Sequence, residues 1–321
     1  VTTAPRFAAF APRTGGYESY YVRAVDPYAP RGLWLRHTIH QAPGTAPVGS
    51  IWVTLFDARK PAPVTHKVSL PRPEALPDGV RIGDSAFGAG GVCRDAGAGA
   101  SWELRWEGGD APLRHLPKAW MYTAPLPRTK LESPLPAVRV LGRIACGDTV
   151  VEVDRWPGMV GHNWGTQHAE RWIWLHGTAF QDRPGDWLDL ALGRVRLGRA
   201  TTPWVANGAL TVDGERLALG GLRARPRVDA APGSLELDLD SPAARLHLTV
   251  TAPRPQTVVW RYADPGGDEH HVANCSIAEL ELTVQRRGAA PLTLRTAHGG
   301  AYELGMRETT HGLPVQPFGD P

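Results

Sequence analysis

The chain has 321 residues, 42% of them hydrophobic and 21% charged, with a formal net charge of +3. That is long enough for two cores and too apolar for a disordered chain, while the scattered arginines form no basic stripe for nucleic acid. No apolar run approaches the roughly 18 residues of a membrane span, and the start VTTAPRFAAF lacks the charged head and apolar middle of a signal peptide, so a cytoplasmic protein with no integral membrane segment is expected.

Thirty prolines and 36 glycines leave little room for long helices, because Pro removes a helical hydrogen bond and Gly costs backbone entropy. Alternation recurs instead, and Leu33–Ile39 and Ser50–Asp57 read as half-buried strands. Ala89–Ser101, rich in Gly and Ala, predicts a flexible loop. Trp120 and Tyr122, in AWMYT, share a face if extended, as ligand contacts or as packing between domains. The run APLPRTKLESPLPA would interrupt a strand with four prolines. It predicts a boundary near residue 134, with domains 1–134 and 135–321. Beyond it Val150–Asp154, Leu235–Asp240, Leu246–Thr251, Thr257–Tyr262 and Cys275–Val284 alternate again. In LELDLD, Leu235, Leu237 and Leu239 point inward. Asp213-Gly214 between two apolar runs marks a hairpin, and only Thr166–Arg171 hints at a helix. The class is all-β, built of antiparallel barrels or sandwiches. Cys93, Cys146 and Cys275, odd in number and without a CxxC pair, predict buried thiols.

The densest stretch is Trp156–Gly177, WPGMVGHNWGTQHAERWIWLHG. In RWIWLHG, period two puts Trp172, Trp174 and His176 on one face and Arg171, Ile173 and Leu175 on the other. Facing a barrel lumen, two indoles and an imidazole would line an apolar pocket with one proton-carrying group; facing another sheet, they would be packing. GHNWG reads as a tight turn that lifts His162 and Trp164 to a cavity mouth. His162, His168 and Glu170 are candidate general acids or bases. Their spacing does not match a metal box, so no metal is expected. GGDEHH reads as a decorated hairpin. Glu152 with Asp154, and Glu279 with Glu281, are carboxylate pairs of the kind a glycosidase uses. No GxSxG elbow, phosphate loop or dinucleotide fingerprint is present in the sequence.

YYVRAVDPYAPRGLWLRHTI, SIWVTLFD, GHNWG, RWIWLHG, NCSIAELELTV and GGAYELGMRE together resemble the superfamily of AttH-like proteins, carotenoid 1,2-hydratases and tocopherol cyclases over nearly the whole chain. The resemblance implies two lipocalin-like antiparallel barrels packed side by side, with a ligand site where they meet. It also implies cofactor-free hydration or cyclisation of an isoprenoid or polyketide-like substrate, with an acid protonating an alkene and aromatic faces stabilising the cation. Hydratases of this type tend to carry an acid immediately before the His of the HNWG turn. Here Gly161 stands there, so Glu170, Glu303 or a His has to supply the proton. Tyr302 and Glu303 are second-domain contributors of which one can face inward.

Three functions compete. A cyclase, isomerase or hydratase of a lipophilic molecule would use His162, His168, Glu170 or Glu303 as acid, with Trp156, Trp164, Trp172, Trp174, Trp120, Tyr122, Tyr302 and His176 about the substrate. A carrier or sensor needs the cavity and not the acid. A carbohydrate-active protein needs an open groove with two inward acids.

Overall fold

The structure, a computed structural model, describes residues 4–319 except 89, 95, 98 and 199. Among these residues twelve strands form one antiparallel sheet between Gly16 and Gly165, and ten form a second between Arg171 and Met306. A two-stranded ribbon, Arg196–Leu197 with Ala200–Thr201, stands apart. No helix among the described residues is long and apolar enough to cross a membrane.

Each sheet curls over its own core, giving the two barrel-like units expected. The first encloses Leu35, Val53, Ile82, Trp102 and Ile144. Across it His37 Nε2 meets Ser85 Oγ at 2.6 Å, although their strands are not neighbours in the ladder. The second encloses Leu190, Leu210, Leu237, Leu248, Leu282 and Leu304. Every segment read as alternating falls within a strand or reaches into one, and Leu235, Leu237 and Leu239 are buried as expected. The Asp213-Gly214 hairpin forms with φ of +54° and +79°, the left-handed pair that a two-residue turn requires.

Four expectations need correction. Residue 134 falls inside the strand Thr129–Cys146, and the chain passes from one sheet to the other between Gly165 and Arg171. Ala89–Ser101 is not wholly a loop: Gly90–Cys93 is a strand and Ala100 opens another, while 89, 95, 98 and the Cys93 side chain lie outside the described residues. Thr166–Arg171 forms no helix, because its amides donate elsewhere: Thr166 to Arg128 O, His168 to Asp264 Oδ1 and Glu170 to Arg194 O. Finally, Trp120 and Tyr122 lie on one 3₁₀ turn, Ala119–Tyr122, rather than on a strand face.

Candidate ligand-binding and active site

The strand Arg171–Gly177 is central in the second sheet, paired on both sides by Leu188–Arg194 and Leu292–Met306. Its two faces separate as period two requires. Ile173 and Leu175 enter the second core, whereas Trp172, Trp174 and His176 turn away from that lumen. The indole wall therefore belongs to the seam between the sheets, where Tyr21, Arg36 and Asn163 of the first sheet complete a cavity of about 250 Å³. A dry void of roughly 150 Å³ already takes up a benzene ring, and drug-sized clefts begin near 300 Å³. The size therefore suits one or two rings, or part of a longer chain. Leu222, 64% exposed, is among the lining residues and marks where the cavity meets the surface.

Two glycines make the walls. Tyr21 lies across Gly161, where a Cβ would come within 2.1 Å of the phenol ring, and Trp172 lies across Gly305 with the same 2.1 Å clearance. An acidic side chain at position 161, before the HNWG histidine, would have no room, because the Tyr21 ring fills its place. Tyr21 meets Trp174 edge-on at 5.5 Å, and burial holds its hydroxyl well above the usual phenol range.

Polar groups punctuate this aromatic surface. Glu303 accepts from Trp172 Nε1 at 2.8 Å, from Asn274 Nδ2 at 3.3 Å and from the Tyr262 hydroxyl at 3.5 Å. Tyr302, its neighbour, faces the other way and donates to Ala231 O at 2.8 Å in the second core. His168 stacks between Tyr17 at 4.0 Å and Trp172 at 5.3 Å. Its Nδ1 donates to Asp264 Oδ1 at 2.7 Å, which leaves Nε2 buried without a partner. Burial opposes ionisation of Asp264, but the two hydrogen bonds from His168 outweigh it and hold the carboxyl below its usual range. His270 is close by, and burial brings its imidazole down to about 4. His168, Asp264 and His270 present ligand-type atoms within 4.8 Å of one another, the one grouping among the described residues able to hold a metal ion. The spacing along the chain does not reveal it. His115 also lines the cavity, with Asp189 at 3.4 Å. Burial disfavours charge on both, yet each outweighs it for the other, raising the imidazole and lowering the carboxyl. Asp189 in turn receives Trp174 Nε1 at 3.1 Å and Ser133 Oγ at 2.5 Å.

Of the residues expected at the site, Trp172, Trp174, His168 and Glu303 are brought together on this cavity, and the others are not. GHNWG is no turn: it ends the strand Thr149–Gly165, so alternation sends Gly161 and Asn163 to the seam and His162 and Trp164 the other way. His162 is sealed between Tyr20 and Trp164, at 4.5 and 4.6 Å, with Nε2 at 2.8 Å from Glu18 and Nδ1 at 3.3 Å from Glu132. It is fully buried and does not line the cavity. Trp164 is covered by the Arg6 guanidinium at 4.0 Å. Trp156 is buried in the first core. His176 receives Arg23 Nη1 on Nδ1 at 2.9 Å and donates from Nε2 to Pro136 O at 3.1 Å. Burial, then Arg23, lowers it to about 3, so it is a neutral structural histidine. Trp120 is 64% exposed, and the Tyr122 hydroxyl donates to Leu131 O at 2.8 Å.

Glu170 is held as a carboxylate by two arginines. Burial alone would raise its pKa, but Arg196 at 2.5 Å and Arg307 at 3.1 Å outweigh that and hold the carboxyl below its usual range. Glu170→Gln is expected to cost about 1 kcal/mol in urea unfolding, as partly exposed ion pairs do, and to leave ligand binding unchanged. Weakened binding would return Glu170 to the site. The paired carboxylates Glu152 with Asp154 and Glu279 with Glu281 are on the solvent side rather than in a groove.

Sequence reading missed Tyr21, Arg36, His115, Asn163, Asp189, Tyr262 and Asp264. Only Asn163 carried a usable signal, since placing GHNWG in a strand would have turned it opposite to His162.

No family model matches the chain. Across 314 residues it is 29% identical to an uncharacterized protein of Mycobacterium tuberculosis, Rv0493c in strain H37Rv and MT0513 in strain CDC 1551, covering 92% of this chain and 88% of that one. Among solved structures, CghA with Sch210972 superposes with a TM-score of 0.61 at 12% identity, covering 91% of this chain and 88% of that one. A Nitrosomonas europaea protein described as an AttH gives 0.54 at 13%, covering 96% and 97%. Kievitone hydratase from Nectria haematococca gives 0.53 at 10%, covering 95% of each. The chain has the AttH-like fold.

Proposed function

We propose, from the AttH-like fold and the cavity in its seam, that this chain binds a compact lipophilic molecule of the isoprenoid kind and converts it by proton transfer, as a cyclase, isomerase or hydratase. One observation carries the reading: the aromatic cavity of about 250 Å³ walled by Tyr21, Trp172, Trp174 and Tyr262. His168 is the proton-transfer group. Asp264 orients it through Nδ1 as a catalytic dyad requires, and the indole stacked on it offers a face to a developing cation. Glu303, the carboxyl group of the wall, fixes Trp172 and Tyr262. The neighbours point the same way at the level of fold, since one is a hydratase and another was solved with Sch210972. Free buried thiols at Cys146 and Cys275 support a reducing, cytoplasmic setting.

Native mass spectrometry of freshly purified protein is expected to reveal a copurifying lipophilic compound that Trp172→Ala loses. Turnover of that compound in D₂O should place deuterium in the product. His168→Ala should slow this by roughly 10²–10⁴-fold while binding persists. Binding without turnover in the wild type would make the protein a carrier. Binding of nothing apolar would end the proposal.

A further inference from the structure

Buried guanidiniums in this protein are handled in two different ways. Arg23 is fully buried and its Nε also lacks a partner, yet its terminal nitrogens make three contacts, to His176 Nδ1, Gly299 O and Ser276 O at 2.7 to 3.0 Å. Arg36 is only 4% exposed and has far less. Its Nη2 donates to Ser19 Oγ at 2.7 Å, its plane lies 4.0 Å over the Tyr262 ring, and Nε is buried without a partner. Among the described residues it has no carboxylate within ion-pairing distance. Removing a guanidinium from water is unfavourable unless charge and hydrogen bonds are returned to it. A single hydroxyl and two aromatic rings, Tyr262 and, at 5.7 Å, Trp52, do not return them.

Arg36 lines the seam cavity together with His168, Trp172, Tyr262 and Glu303. We infer that Arg36 is the anchor for a carboxylate on the ligand, so that the substrate class is an apolar acid rather than a hydrocarbon; this rests on the cavity being the ligand site. A carboxylate offers the planar pair of acceptors that a guanidinium fork matches. The carboxyl groups of Glu303 and Asp264 nearby disfavour a ligand carrying two negative charges, which sets phosphate monoesters aside. With its head held at Arg36, the apolar body of the acid is placed against Trp172 and alongside His168.

The test uses two probes of nearly equal shape, naphthoate and the neutral naphthamide, titrated calorimetrically into the full chain. The wild type should bind naphthoate at least about tenfold more tightly, the value of a charge-assisted hydrogen bond over a neutral one. Arg36→Met should erase the preference, with naphthoate losing more affinity than naphthamide, while Arg36→Lys should keep part of it. Equal affinity of the wild type for both probes overturns the carboxylate assignment but leaves the cavity a ligand site. Arg36→Met weakening both probes alike also overturns it. Binding of neither probe overturns both readings. The wild-type comparison stands by itself should Arg36→Met fail to fold.

Discussion

Between pH 6.5 and about 4 the protein is expected to lose stability at roughly 4 kcal/mol per pH unit, a slope set by three histidines buried in the neutral form. Burial brings His37 down to about 3. Burial with Arg23 brings His176 to about 3, and burial with His168 brings His270 to about 4. All three folded values are depressed below the unfolded value near 6.5. Their contribution is therefore fully present above pH 6.5 and is lost as pH falls, because the unfolded chain takes up three protons that the native state refuses. Each proton contributes about 1.4 kcal/mol per unit, against a total stability of about 5–15 kcal/mol. His115 does not blunt the slope: its raised pKa acts only above pH 6.5. Urea midpoints at pH 7, 6 and 5 should fall steeply, and His37→Phe, which keeps the contacts with Phe87 and Trp102, should remove about a third of the slope. A stability flat from pH 6.5 to 5 would refute the assignment of neutral buried imidazoles.

The same residues show what the sequence could and could not disclose. Leu235–Asp240 was legible because one face is wet and one dry, so alternation is written in residue type. Gly16–Val25 was not, since all ten residues are buried and its polar Glu18, Ser19 and Arg23 mark no wet face. Pro134 and Pro136 look like breakers, yet they sit in a strand where the register shifts between Glu132 and Leu135 and between Leu135 and Val138. Such bulges are where a strand tolerates proline, and the boundary placed at residue 134 misreads that device. The indole wall was legible through period two within seven residues. Its partners were not: Asp264 meets His168 across 96 residues of chain, and Asp189 meets Ser133 across 56. Local pattern carries no information about such contacts. Glycines 161 and 305 were visible as residues, but the reason for them, a ring laid flat on the neighbouring strand, appears only once strands are paired.

Arg23→Met is expected to lower stability by about 3 kcal/mol or more, because this side chain ties the sheets together where no backbone hydrogen bond can. The strand Glu269–Arg286 slips register between Cys275 and Ala278, and its partner skips from Gly300 to Thr296, so the carbonyls of Ser276 and Gly299 leave the ladder. Arg23 reaches from the first sheet to bond both, and adds His176 of the neighbouring strand. Its own burial lowers it to about 9, which still leaves a cation at neutral pH. Methionine fills the space but leaves Ser276 O and His176 Nδ1 unpaired in a dry seam, and Gly299 O with only the Thr178 amide at 3.3 Å; each unpaired acceptor costs roughly 1–3 kcal/mol, partly offset by the charge no longer buried. Adding His176→Phe removes one of those acceptors. The double variant should therefore be less destabilised than the sum of the singles by about 1 kcal/mol. Strict additivity in urea unfolding would mean that Arg23 and His176 act independently and that the seam is held elsewhere. A seam loosened at Arg23 should also bind naphthamide less tightly, since Trp174, on the strand that Arg23 grips through His176, is a wall of the cavity.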